Sequence, residues 1–375
     1  MASFFPDEIL ENVLCRLPVK SLLRLRCVSK SWLSLISSSR FVKLHLNRSV
    51  QTKSNLSLFL TTGREFFRWN LYSLDRDLRP TDEVVNHPID SHPFRCKCYT
   101  IGSCDGLICL SKAFDDDSVY LWNPSTKKII KLPESLSSKG YYDCCYGFGY
   151  DNTNDDYKVV RTRLDRDDQG DIIDYHIQVY SLRSNSWHMP EKFHHCPTYQ
   201  EKFAIACGAL HWTSENIEDE KENWIVAFDL GTEKYRVIPQ PEYSGSICYT
   251  SLNNFEGCLS LSCNYYPNDV VVVWLLNKYG EKNEYWSKLI SFTHTEEMDY
   301  PDSIKPVAYS KSGKKILLEM DDKNLVWYNL EQESVEDIVL HDLGPFFDVY
   351  SCLESLVSVD VTGTSAEAIT NAKEN

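Results

Sequence analysis

The sequence predicts a mainly β protein with a small α-helical domain at its N-terminus: three short helices followed by a six-bladed β-propeller. Three observations point that way. Apolar residues recur at helical spacing within the first 48 residues. Beyond residue 50 that periodicity fades, and a strand–turn–strand unit returns roughly every fifty residues, the period of kelch-like propeller blades. Aromatic residues supply 13% of the 375 positions, and rings that bury large areas and stack across strands suit such blades.

The helices come first. Pro6 followed by Asp7 and Glu8 starts one, because proline fits the opening turn and acids favour the positive end of the helix dipole. Ile9, Leu10, Val13, Leu14 and Leu17 then make one apolar stripe, which Pro18 ends. A second short helix carries Leu22, Leu23, Leu25 and Val28, and Ser29 caps a third bearing Trp32, Leu35 and Ile36. Helices this short cannot bury their apolar surface among themselves. They either pack on the rest of the chain as a subdomain or meet a partner. Residues 1–50 carry eight Lys or Arg against three Asp or Glu, whereas the whole chain holds 39 against 54 and stands at −15. A basic head on an acidic body argues against nucleic-acid binding by the body and suits an acidic partner for the head.

The ordered run Pro6-Asp7-Glu8-Ile9-Leu10, Arg16-Leu17-Pro18-Val19-Lys20-Ser21-Leu22 and Arg26-Cys27-Val28-Ser29-Lys30-Ser31-Trp32 resembles the F-box of plant proteins. Phe5 stands where that family usually has leucine, which keeps the position apolar. The resemblance implies that Pro6, Ile9, Leu10, Leu14, Leu17, Val19, Leu22, Leu23, Val28 and Trp32 build or face an interface with Skp1, itself acidic as a family. Laying an apolar helical face against a partner is helix-in-groove recognition.

In the body, the repeat unit is an apolar strand ending in an aromatic anchor, a tight turn and a second strand. The anchors are Tyr72, Trp122, Tyr180, Phe228, Trp274 and Tyr328, and six anchors predict six four-stranded blades. Ile129, Trp187, Tyr235 and Val335 are placed to pair back across the hairpin from their anchors. The turns between hold Pro124-Ser125-Thr126, Ser184-Asn185, Gly231-Thr232 and Glu331-Gln332. Further strands are read at Gly106–Leu110, Ala209–Trp212 and Lys315–Glu319, and Val349–Val361 is expected to return and complete the first blade. An open β-sandwich array is the alternative that the repeat leaves standing.

Gly102-Ser103-Cys104-Asp105-Gly106-Leu107, Trp122-Asn123-Pro124-Ser125-Thr126, Tyr146–Asp151 with Asp155–Val160, and Val179-Tyr180-Ser181-Leu182 resemble the F-box-associated interaction domain of plants. Within that family the chain is most similar to the CPR-type F-box proteins that restrain defence signalling, then to S-locus F-box proteins. The expected division is an F-box at 1–48, a propeller at 52–361 and a flexible tail at 362–375, where large apolar residues run out.

The chemistry of an enzyme is not legible. GxSxG, Walker and HExxH patterns are missing, and the ten histidines are dispersed. Asp165–Asp171 has the look of a calcium loop, but His176 stands where a bidentate Glu is needed, so it reads as a hairpin tip. The acidic run Glu215–Glu222 reads as a loop. Fourteen cysteines lack zinc-knuckle spacing, and no secretory signal or membrane-length apolar run is visible. These features predict reduced thiols, a cytoplasmic or nuclear location, and neither cofactor nor metal. The resemblance implies a non-catalytic substrate adaptor that joins Skp1, and through it cullin and a RING subunit, to a protein substrate. A Skp1-binding scaffold outside a ligase and a propeller enzyme are the other readings.

Overall fold

The computed structural model describes residues 7–62, 66–70, 83–85, 89, 98–112, 115–135, 143–167, 169, 172–191, 203–215, 223–242, 246–266, 270–293, 303–338 and 347–360. Four helices open it, one more than the periodicity predicts: α1 (Asp7–Leu14), α2 (Val19–Leu25), α3 (Lys30–Ser37) and α4 (Ser39–Thr52). The additional helix buries Phe41, His45 and Ser49 along one face. Two of those three are polar, so the stripe does not register as apolar periodicity. α4 runs past residue 48, where the sequence pattern ends the head, and stops at Lys53 in the left-handed conformation.

Six four-stranded antiparallel sheets follow. Blade 1 contains β1 (Leu56–Thr61), β2 (Phe66–Asn70) and β3 (Glu83–Val85); blade 2 is β4 (Cys98–Cys104), β5 (Leu107–Lys112), β6 (Asp115–Asn123) and β7 (Lys128–Lys131). Blade 3 is β8 (Asp143–Asp151), β9 (Asp156–Arg166), β10 (Ile172–Ser181) and β11 (Ser186–His188). Blade 4 is β12 (Ala204–Ala206), β13 (Ala209–Glu215), β14 (Asn223–Asp229) and β15 (Tyr235–Ile238). Blade 5 is β16 (Ser246–Phe255), β17 (Cys258–Tyr266), β18 (Val270–Asn277) and β19 (Tyr285–Thr293). Blade 6 is β20 (Ile304–Tyr309), β21 (Lys315–Met320), β22 (Asn324–Asn329) and β23 (Ser334–Asp337). A last strand, β24 (Asp348–Leu353), pairs with β1 as the fourth member of blade 1.

The anchors explain the repeat. Trp122, Tyr180, Phe228, Trp274 and Tyr328 all lie in the third strand of their blade; Tyr72 lies outside the described residues. Each of the five packs toward the preceding blade. Trp122, for example, meets Phe59 and Phe66 of blade 1 edge-on at 6.4 and 5.6 Å. The predicted cross-hairpin partners are the observed ones: Trp122–Ile129, Tyr180–Trp187, Phe228–Tyr235 and Tyr328–Val335.

The turns have a shared chemistry. Asn123, Asp229 and Asn329 follow an anchor and accept hydrogen bonds from turn amides, while Lys127, Glu233 and Glu333 take positive φ before the next strand. This turn is what places the apolar partner seven positions after the anchor.

The ring is closed. The first strands β24, β4, β8, β12, β16 and β20 neighbour one another in a complete circle, and one apolar cluster fills each of the six gaps between blades. The open-sandwich alternative is therefore set aside. Closure uses less of the C-terminus than the sequence suggests: the ladder with β1 ends at Leu353, and Glu354–Asp360 leaves the sheet as a strap. Residues 216–222 and the expected tail at 362–375 lie outside the described residues.

Candidate functional site

The head is held from within. Cys15, Leu14, Val19, Leu22, Ile36 and Phe41 form its core, joined by Leu356 of the strap. Ser29 Oγ accepts from the Trp32 amide at 3.2 Å, as its position before α3 requires, and Ser38 Oγ accepts from the Phe41 amide at 3.2 Å at the start of α4. His45 Nε2 lies 3.0 Å from the Leu17 carbonyl and ties the α1–α2 link to α4. Burial lowers the His45 pKa, which favours the neutral ring there.

The ten residues expected at the interface divide by place. Leu14, Val19 and Leu22 are buried in the head's own core. Leu10, Leu17, Leu23 and Trp32 are half-buried against it. Ile9 and Val28 stand out in solvent at 51% and 60% exposure. Pro6 lies outside the described residues. Val13 and Leu33 are likewise exposed, at 55% and 47%. Val13 is one helical turn from Ile9 and shares its face, a signal already present in the spacing; Leu33 has no such signal beside Trp32. Of the ten large apolar side chains exposed among the described residues, six belong to the head or α4.

Basic side chains are exposed on the same head. Arg16, Lys20, Arg24 and Lys30 are exposed, while Arg40 pairs with Glu11 at 3.2 Å.

α4 seats the head on the propeller face that carries the turns between first and second strands. Lys43 pairs with Asp155 in the β8–β9 turn, and Lys53 pairs with Glu256 in the β16–β17 turn. Lys53 also lies over the Tyr309 ring at 5.5 Å. A groove of about 1140 Å³ runs between α4 and these turns. Away from the head, a cavity of about 300 Å³ follows the propeller axis. On its wall Lys305 Nζ donates to Glu319 Oε2 at 2.9 Å and to the Val349 carbonyl at 2.7 Å. Desolvation pushes the Glu319 carboxyl up to about 7 despite the lysine. The described residues hold no group of three or more metal-ligating side chains.

A closed propeller joined to a helical head with uncovered apolar side chains is a two-part architecture. The chain belongs to the plant F-box proteins that carry an F-box-associated propeller. Residues 3–44 match the F-box domain, and residues 56–361 match the F-box associated beta propeller domain. F-box protein CPR1 of Arabidopsis thaliana is 32% identical over 378 residues, covering 94% of this chain and 88% of the relative. An F-box/kelch-repeat protein of the same plant is 31% identical over 370 residues, with 94% and 95% covered. F-box/WD-40 repeat-containing protein 1 is 27% identical, with 95% and 89% covered.

Proposed function

We propose that this chain is the substrate-recognition adaptor of an SCF-type ubiquitin ligase. One observation supports the reading: α1–α3 pack on a core shared with Phe41 of α4 and Leu356, and the head still leaves Ile9, Val13, Val28 and Leu33 uncovered beside exposed basic side chains. Covering four such half-exposed side chains is worth roughly 1 kcal/mol each. The partner is a Skp1-like protein, which links the head to cullin and a RING subunit, while the propeller holds a protein substrate. The chain then performs no bond chemistry. It works by holding the substrate near the transferring enzyme, so that effective concentration replaces diffusional encounter. Its proposed location is the cytoplasm or nucleus, and its proposed pathway is the restraint of defence signalling.

The test is co-purification with a Skp1-like protein. Ile9→Asp combined with Val13→Asp removes apolar contact without entering the head's core, so it abolishes capture while the propeller's thermal transition stays in place. Undiminished capture by that double variant overturns the interface. Leu14→Asp is a poorer probe, because Leu14 is buried and its charge would unfold the head.

A further inference from the structure

The four sequence motifs that mark the propeller family have no part in the adaptor reading so far, and the structure gathers them in one place. They lie in blades 2 and 3, with their turns on the face that carries the head. We propose that they form a receptor for the C-terminal strap Glu354–Asp360, which completes the head's core with Leu356 and thereby sets the head on the propeller. Gly106 and Asn123 are then positioning residues for the docking head. That the positioned head docks Skp1 rests on the reading above; that the strap completes the head does not.

The first motif contributes a passage. Gly106 has φ +83°, and a Cβ there would stand 2.5 Å from the Leu353 carbonyl and 2.8 Å from Ser355 Cβ. The strap runs where any larger residue would have to be. The second motif contributes the grip. Asn123 is wholly buried. Its Nδ2 donates to the Val357 carbonyl at 2.8 Å and the Ser355 carbonyl at 3.2 Å, while its Oδ1 accepts from the Ser125 and Thr126 amides at 2.8 and 3.1 Å. The side chain thus spends its amide protons on the strap and its oxygen on its own turn. Lys128 pins the far end through Asp360.

The third and fourth motifs brace this shoulder. Tyr157 donates to Asp105 at 3.1 Å, beside Gly106. Asp155 takes both Tyr150 and Lys43 of α4. Asp156 accepts from Ser181 Oγ and from the Arg183 amide, the latter at 2.8 Å.

Held there, the strap faces two ways. Leu356 enters the core of Leu14, Leu22 and Phe41, whereas Val357 and Val359 enter the cluster between blades 2 and 3. Val42 of α4 packs against both clusters. A segment from the end of the chain is therefore a shared wall of head and body, and removing it opens both sides.

Hydrogen exchange on the otherwise intact protein tests this. A chain ending at Leu353 keeps β24 and loses the strap, and one ending at Asp360 keeps both. In the first, and in Gly106→Val, exchange of α2 and α4 amides rises at least tenfold while β9, β13, β17 and β21 stay protected. The chain ending at Asp360 matches the full chain. Should truncation disturb the propeller strands too, Leu356→Ala decides, since it leaves β24 and the Asn123 contacts in place. It raises exchange in the head alone, and Leu356→Met restores it. Head exchange within twofold of the full chain in both the truncated chain and Leu356→Ala overturns the proposal. Capture of a Skp1-like protein falls in the same variants; if the full chain captures none, the adaptor reading fails while exchange still decides the strap.

Discussion

Lys158 is nearly excluded from solvent, at 7% side-chain exposure, and joins blade 3 to blade 4. Its Nζ lies 3.0 Å from Asp151 and 2.9 Å from Glu233, and donates to the Leu230 carbonyl. Burial alone would push the Asp151 carboxyl up, but hydrogen bonds from Asn154 and Lys158 hold it below the usual range. Lys158→Met strands the wholly buried Asp151 charge, so urea unfolding is expected to show a loss of about 3–5 kcal/mol; a loss under about 1 kcal/mol would show the pair to be redundant. Glu319 gives the opposite kind of prediction. Its pKa is raised in the folded state, so the native chain holds a proton that the unfolded chain releases. The resulting stability is present below the ordinary carboxylate range and is lost as pH rises through about 7, at up to about 1.4 kcal/mol per pH unit. Glu319→Gln is expected to flatten that slope in thermal unfolding scans between pH 4.5 and 8; an unchanged slope would assign the proton elsewhere. Neither residue was legible in the sequence. Lys158 and Glu233 sit in different blades, and a charge in a strand looks the same whether it faces water or a neighbouring blade.

Elements were more legible, and their failures have definite causes. The aromatic anchors gave the third strands and four cross-hairpin pairs, because the anchor, the turn-capping side chain and the left-handed residue stand at fixed offsets. Trp274 pairs instead with Lys288, across a longer turn that includes Gly280, and there the rule gives no partner. α1–α3 followed from apolar spacing and the proline between α1 and α2, whereas α4 hid behind His45 and Ser49 on its buried face. Ser38 starts that helix, and Ser38→Ala is expected to cost about 1 kcal/mol of head stability. Trp32 fluorescence during denaturant unfolding would measure it; no change would mean that packing alone holds the end. Of the proposed docking surface, the helical spacing that puts Ile9 and Val13 on one face was readable. The division between Leu14, which is core, and Val13, which is surface, was not, because it depends on where α3, α4 and Leu356 lie.

At the scale of the whole molecule, β24 makes the ring. It supplies the innermost strand of blade 1 and touches both β4 and β20. A chain cut before Phe347 leaves β1 with an unpaired edge and two blade interfaces open, and such edges invite association. It is expected to accumulate as insoluble protein; a soluble, cooperatively unfolding product would remove β24 from the account. Comparing end points at Leu353 and Asp360 separates ring closure from the proposed seating of the head, since β24 is kept in both and the strap only in the second.

The position of Leu356 also has a consequence during synthesis. The helices of the head are made before the six blades, and the residue that completes their core is made after them. At a synthesis rate of about 5–20 residues per second, the nascent head waits on the order of tens of seconds with its core open. A message cut short before β24 therefore yields neither a closed ring nor a finished head, so translation past Leu356 is a condition for releasing a chain whose head core is complete.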